Sequence, residues 1–406
     1  MSDYGIFSVI GIEIEYMLVN KETLNIAPQS DLILHTLAGR EVNEVELDEI
    51  AASNELVMHV LELKNNGPKP PDAPLAAQFQ ETVNRLQPLL DKHQLQLLPS
   101  GAHPWMDPLT ETRRWPYGNN EIYLQYDKIF NCQGHGWSNL QSMHVNLPFA
   151  NDEQFNQLHN AIRLILPLLP ALAASTPFLG GQLTGLLDSR LDFYNKNQQR
   201  IPSISGDIIP EFICSEDEYQ HKILQPMYND IAPFDPDKLL QYEWLNSRAA
   251  IPKFDYKAIE IRIIDSQECV NADIAIAKAI LAILQHWQQQ SDYYLTTPCD
   301  TQRLKALYLP SLKTGLKTVI EDRELLRQWQ LSSGQTCRDI WSRLIEQVSN
   351  KLNHTDQLAL EFILSQGSLS ERLIKSCGGD FSKTALQRVY RQLGHCLTNN
   401  QQFNPT

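Results

Sequence analysis

Two carboxylates stand two residues apart in an apolar run near the start of the chain, Gly11-Ile12-Glu13-Ile14-Glu15-Tyr16. Successive side chains of a strand point to opposite faces, so Ile10, Ile12, Ile14 and Tyr16 share one face and Glu13 and Glu15 the other. Two ionised carboxylates about 4 Å apart repel by about 4 kcal/mol at an effective dielectric of about 20. Such a pair needs a cation between its members or a shared proton, unless the strand turns a wet face to solvent. The pattern returns in three more segments. In Ala258–Asp265, Ile259, Ile261 and Ile263 lie opposite Glu260 and Arg262. In Gln141–Leu147, Met143, Val145 and Leu147 lie opposite Ser142, His144 and Asn146. In Leu56–Lys64, Glu62 shares the face of Lys64, and Glu55 lies an odd seven residues before Glu62. Glu55 and Glu62 converge only if Glu55 precedes the strand or a bulge intervenes.

Singly, each segment has an ordinary reading: a cross-strand ion pair for Glu260 with Arg262, a hydrogen-bonded structural histidine for His144. Together they place Glu13, Glu15, Glu62, Glu260, His144 and Arg262 on one sheet face. A carboxylate-rich cleft suits Mg²⁺, which favours oxygen ligands, keeps several waters and bridges carboxylates to substrate phosphates. Zinc favours His and Cys, and only Cys132-Gln133-Gly134-His135 hints at that.

Strands are expected at about Val9–Val19, Leu56–Lys64, Gln94–Pro99, Gln141–Phe149 and Ala258–Asp265, mostly alternating as antiparallel strands with one buried face do. Gly67-Pro68-Lys69-Pro70-Pro71 reads as a strand-to-helix connection, because Leu75, Phe79, Val83 and Leu86 follow at helical spacing. Further helices are expected from Asp152 and from Asp273, and over Arg338–Leu352, Asp356–Leu364 and Lys383–Leu397. The run Leu164–Ala174, with Pro167 and Pro170, reads as a buried helix ending in a kink, too short to span a bilayer. Residues 195–254, rich in Pro, Asp, Asn and Ser, read as long ordered loops. The fold class is α+β: an antiparallel sheet backed by helices, with a helical C-terminal region.

A chain of 406 residues can bury one large core or two intimate ones. Its net charge of −14 supplies no phosphate-neutralising surface, which argues against a general nucleic-acid binder but leaves room for a local cationic pocket. Seven scattered cysteines, with no Cys-x-x-Cys, read as reduced thiols rather than a disulfide framework. No basic region leads into an apolar stretch at the N-terminus, so no signal peptide is expected. There is no Walker-type loop and no Gly-x-Gly-x-x-Gly, so a nucleotide would be held in another way.

Several motifs occur in one order: Gly11-x-Glu13-x-Glu15, the Glu62 strand, Gly101-Ala102-His103-Pro104, Gln141-Ser142-x-His144-Val145, Ser175-Thr176-Pro177-Phe178 with Thr184-Gly185 and Arg190, and Glu260-Ile261-Arg262-Ile263-x-Asp265. This order resembles the second family of glutamate–cysteine ligases, the bacterial carboxylate–amine ligases, over residues 5–290. The resemblance implies a glutamine-synthetase-like curved, mainly antiparallel catalytic sheet. It implies one catalytic domain over 1–406, with a sheet-bearing core at 1–300 and a helical region at 301–406. It implies ATP-dependent phosphorylation of a carboxylate, usually the γ-carboxylate of glutamate, and attack of an amine on the acyl phosphate.

By the same resemblance Glu13, Glu15, Glu55, Glu62 and Glu260 are metal ligands or their neighbours, with Mg²⁺ as the ion and Mn²⁺ as its substitute. His144 and Glu260 are expected among the catalytic groups, His144 close to the metal or phosphate. Arg262 would meet the transferred phosphate and Arg190 the substrate carboxylate, since an Arg fork matches either anion. Ser142, Asn146 and Thr184 are further candidates for binding substrate or ATP. The expected partners are a glutamate-like acid, an amine and ATP, with a cytoplasmic location, no membrane and no nucleic acid, and a homodimer as the candidate assembly.

The chain departs from the family's pattern where His-Val-His-Val-Gly is common. It has His144-Val145-Asn146-Leu147-Pro148, and Asn146 can hydrogen-bond but does not titrate. Residues 131–137 and Trp105-Met106-Asp107-Pro108 are also unlike typical members. These changes surround the expected substrate pocket. Two competing readings are a carboxylate-pair glycosidase, which the Arg262–Glu260 pairing disfavours, and a non-catalytic nucleotide- or amino-acid-binding regulator.

Overall fold

The computed structural model describes residues 4–290, 298–329, 331 and 335–405. Ten strands fall in its first two thirds: β1 (Gly11–Asn20), β2 (Glu44–Leu47), β3 (Ile50–Asn54), β4 (Val60–Asn65), β5 (Leu95–Leu98), β6 (Ser142–Pro148), β7 (Phe178–Leu179), β8 (Gln182–Leu183), β9 (Ala250–Lys253) and β10 (Ala258–Asp265). Eight form one sheet in the order β2-β3-β4-β1-β6-β10-β9, with β5 added beside the far end of β1. Every pairing is antiparallel. β7 and β8 make a separate hairpin.

The apolar face of the sheet forms as the alternation predicts: Ile12, Ile14 and Tyr16 on β1, Val145 on β6 and Ile259 and Ile261 on β10 are fully buried. Helices Leu75–Lys92, Asp152–Ile165 and Val270–Gln290 contribute to the same core, the last through Ile276, Ile280, Leu284 and Trp287. A second apolar cluster joins Met17, Val19 and Leu98 to Leu373, Leu386, Val389 and Leu393 of helices Leu369–Cys377 and Lys383–Asn399. The C-terminal helices thus pack on the β1–β5 pair. A fully buried ion pair, Arg372 to Glu268 at 2.5 Å, pins them to the segment after β10.

Several boundaries differ from the sequence reading. Leu56 and Met58 do not continue β4. Their backbone bonds a neighbouring segment, with Leu56 C=O accepting from Trp115 N–H at 2.9 Å and Met58 N–H donating to Arg113 C=O at 2.8 Å. The chain reaches that segment just after Glu55, which therefore precedes the strand, one of the two arrangements that let it meet Glu62. Residues 195–254 are not all loop: they contain short helices and the whole of β9. Pro252 lies in β9, an arrangement available only because β9 is an edge strand whose outer side needs no N–H donor. The β2–β3 hairpin also escaped the alternation reading, since its inner strand carries Ala51-Ala52 rather than β-branched residues. In the run 164–174 the break comes inside, with a 3₁₀ turn at Leu166–Leu168 between two α-helical pieces, where Pro167 lacks a donor.

Candidate active site

The central position of β1 decides which side chains meet. Glu13 lies opposite Lys64 of β4 on one side and His144 of β6 on the other, and Glu15 lies opposite Glu62. One strand further, Glu260 of β10 faces Asn146. Directly opposed residues on one face have Cβ atoms about 4.5–5.5 Å apart, close enough for their polar ends to converge. Two groups result, Glu13 with His144 and Glu260, and Glu15 with Glu55 and Glu62. In each, one ligand atom per residue lies within 4.8 Å of the others. Glu15, Glu62 and Glu260 are buried, so the polar face of the sheet is not a solvated one.

The first group is balanced by cations. His144 Nδ1 lies 3.2 Å from Glu13 Oε2 and 3.6 Å from Glu260. Asn146 donates to Glu13 Oε1 at 3.0 Å, and Lys253 pairs with Glu260. Burial works against a charged Glu13, but the His144 hydrogen bond and charge, with Lys253 and Lys64, outweigh it and hold the carboxyl well below its usual range. Ser142 links the groups: its N–H donates to Glu15 Oε2 at 2.7 Å, and its hydroxyl stands 3.2 Å from the same oxygen and 2.9 Å from His144 Nε2.

The second group carries excess negative charge. Lys64 reaches Glu62 at 3.1 Å but also pairs with Glu44 at 2.8 Å. Ser53 donates to Glu62 at 2.7 Å. Burial first, then the charges of Glu62, Glu15 and Glu13, push Glu55 well above the ordinary carboxylate range, and Glu62 is raised by burial and by Glu13. An oxygen-only donor set with unbalanced charge is the environment a hard divalent cation relieves, so the residues present fit Mg²⁺.

Two cavities flank these groups. One, of about 470 Å³, has Glu15, Glu55, Ser142, His144, Arg190 and Arg262 among its lining residues. The other, of about 650 Å³, is reached by Glu13, Lys64, Asn146 and Lys253 and walled by Tyr4, Val9, Pro68, Pro148 and Tyr256. Arg262 Nε lies 3.1 Å from Glu260, and its Nη1 donates to Asn246 C=O at 3.2 Å. Arg190, in helix Ser189–Tyr194, is 2% exposed and pairs through Nε with Asp265, while its Nη2 is buried without a partner. Asp265 also accepts from Ser175 N–H at 2.8 Å and Thr176 Oγ1 at 3.1 Å, which fixes the orientation of the guanidinium.

Of the residues singled out in the sequence, Glu13, Glu15, Glu55, Glu62, Ser142, His144, Asn146, Arg190, Glu260 and Arg262 meet around the two cavities. Thr184 does not. It is exposed on the β7–β8 hairpin and bonds Pro177 C=O and Ser189, because the hairpin carries its side chain away from the sheet. Cys132 and His135 join no group of three ligand atoms among the described residues. Lys253 was missed, since Pro252 hid its strand. So were Tyr123, Tyr126, Trp137 and Trp244, which wall the first cavity and lie in helices and turns without a strand's alternation to mark them.

The chain is similar to known proteins over most of its length. The description of glutamate-cysteine ligase family 2 matches residues 9–392. An uncharacterized protein of Archaeoglobus fulgidus is 31% identical over 401 residues, covering 97% of this chain and all of its own. A Corynebacterium glutamicum protein provisionally named glutamate–cysteine ligase 2 is 25% identical over 290 residues, 70% of this chain and 68% of its own. Among solved structures, glutamate–cysteine ligase of Francisella tularensis in complex with AMP superposes with a TM-score of 0.61 at 12% identity, covering 98% of this chain and 90% of that one. A bifunctional glutathione synthetase from Pasteurella multocida superposes at 0.56 with 14% identity, covering 95% of this chain and 53% of that one. At such identities these two structures speak for the fold.

Proposed function

We propose a reaction from one premise: the chain belongs to glutamate-cysteine ligase family 2. It is an ATP-dependent ligase that joins a carboxylate to an amine. The acid is glutamate, activated at its γ-carboxylate. One carboxylate oxygen attacks the γ-phosphorus of ATP, the bond to ADP breaks, and an acyl phosphate forms. The amine nitrogen then bonds the acyl carbon, the carbon–oxygen bond to phosphate breaks, and an amide, phosphate and one net proton leave. A location in the cytoplasm fits these substrates.

The observation that carries this reading is the placement of the two carboxylate groups between two separate cavities. Glu15, Glu55 and Glu62, with the carboxylates of Glu13 and Glu260 beside them, would hold Mg²⁺, whose charge would neutralise the triphosphate. The chain's own cations serve the phosphates as well. Lys64 and Lys253 border the larger cavity, where Tyr256, Pro68 and Pro148 offer flat apolar walls to a base. Arg262, held by Glu260, lines the smaller cavity and would meet the charge that develops on the transferring phosphoryl group. Arg190 keeps one guanidinium nitrogen unpartnered, a donor matched to the α-carboxylate of the acid. His144 and Ser142 stand by the acids at the junction, within reach of a proton released from the amine.

Purified protein given glutamate, Mg·ATP and a panel of amines should release ADP and phosphate only when an amine is present. Absence of turnover with every amine, together with unchanged binding of Mg·ATP, would favour the regulator reading instead.

A further inference from the structure

The smaller cavity is lined by two unlike sets of side chains. One comprises the acids and the two arginines. The other comprises Tyr123, Tyr126, Trp137, Trp244, Leu56 and Val60. The aromatic part of that wall is continuous: Tyr126 lies 5.3 Å, centroid to centroid, from Trp137 and 5.9 Å from Trp244. Trp137 belongs to residues 131–137, a stretch where the sequence departs from the family's pattern. It is held there by the short helix His135–Ser138, whose Gly136 carbonyl accepts from Asn197. Glu55 joins the second carboxylate group and also lines the cavity. An amine held against the aromatic wall of the same cavity would therefore lie close to the carboxylate groups.

We propose that the acceptor amine is a primary amine bearing an aromatic ring or an apolar body of that size, rather than cysteine. The proposal rests on the ligase reading above and adds the class of the second substrate. A volume of about 470 Å³ lies in the range of sites that bury most of a small organic ligand. The body of the amine covers the wall of Tyr126, Trp137 and Trp244, where offset-stacked or edge-on ring contacts are each worth about 0.5–1.5 kcal/mol beyond area burial. The methylene and thiol of cysteine would leave most of that wall in contact with water. Bond making follows the balance given above: nitrogen to acyl carbon, phosphate displaced.

The test uses the full chain with glutamate and Mg·ATP, and compares phenethylamine, cysteine and hydroxylamine by phosphate release. Hydroxylamine traps an acyl phosphate as a hydroxamate whatever the shape of the amine subsite. The expected result is hydroxamate formation together with a kcat/KM for phenethylamine at least about tenfold above that for cysteine, the scale on which apolar pockets discriminate. Trp137→Leu and Trp244→Leu should each narrow the ratio of phenethylamine to hydroxylamine turnover by about fivefold or more. Hydroxamate formation with cysteine equal to or better than phenethylamine overturns the aromatic-amine proposal and leaves the ligase reading standing. No hydroxamate at all refutes the ligase reading, and this proposal with it. The wild-type comparison decides the matter even where a tryptophan variant does not fold.

Discussion

Replacing Glu55 by Gln should make the metal-free protein more stable and its stability less responsive to Mg²⁺. Glu55 Oε, Glu15 and Glu62 have ligand atoms within 4.8 Å of each other, so each ionised contact costs about 3.5 kcal/mol at an effective dielectric of about 20. Lys64 offsets part of this through Glu62, and proton uptake by Glu55 offsets more, leaving a net gain of about 1–3 kcal/mol for the variant. The pH dependence follows from the sign of the shift. The folded carboxyl titrates above its ordinary 4.5, so the wild type is favoured at low pH and loses stability as pH rises above 4.5. The advantage of Glu55→Gln should therefore be small at pH 4 and grow toward pH 7.5. For a chain of this length the gain is about 1–4 °C in melting temperature. Urea unfolding in EDTA and in excess Mg²⁺, at both pH values, measures all of this. In wild type, Mg²⁺ at a hundred times its dissociation constant should add about 2.7 kcal/mol, and in the variant much less. A variant less stable than wild type in EDTA at pH 7.5, or an equal Mg²⁺ response in both, would show that these acids neither repel one another nor share an ion.

Other expectations concern the rest of the site and its support. Glu13→Gln and Glu15→Gln should each lower Mg·ATP turnover by about 100-fold or more with the fold kept, checked by phosphate release and circular dichroism; unaltered turnover would return this face to the status of a structural surface. Arg262→Lys keeps the charge but loses the planar fork, so kcat should fall by about 100-fold while KM for the amine changes little. A Cβ on Gly101 would stand 2.6 Å from Asp265 Cγ and 2.8 Å from Thr176 Cγ2. Gly101→Ala should then dislodge Asp265 from Arg190, raise KM for the acid and cost about 1–3 kcal/mol of stability. His159 is buried and stacked on Phe155, and burial lowers its pKa to about 3. The unfolded chain therefore binds the extra proton as pH falls below 6.5, and wild type should lose about 2 kcal/mol relative to His159→Phe between pH 7 and pH 5. A gap in urea stability that is independent of pH would contradict that.

The alternation in β1, β6 and β10 was legible because one face of each strand is wholly apolar. With period 2 and a buried side, a one-residue slip of any of these strands would turn Ile12, Ile14, Val145 or Ile261 out of the core. Glu13, Glu15, His144, Asn146, Glu260 and Arg262 followed from that constraint alone. Elements without such a constraint were harder to read. β9 is an edge strand with a proline, and the strand β3 is built on small residues. Helix Leu369–Cys377 starts at a capping box, Ser368 with Glu371, that only close reading of the last hundred residues would have picked out.

The sequence by itself determined that acids share one face of each strand with an arginine beside them, and it made oxygen ligation the expected chemistry. That information is local, carried by side-chain period and residue type. Tertiary structure alone decided the rest. Strand order put β1 between β4 and β6, so that Glu13 meets His144 and Lys64 while Glu15 meets Glu62. The departure of Leu56–Met58 from the sheet left Glu55 beside Glu62. The packing of residues 120–130, 135–138 and 243–245 placed an aromatic wall over the polar face. Each of these depends on contacts between residues far apart in the chain, which no spacing within one segment encodes.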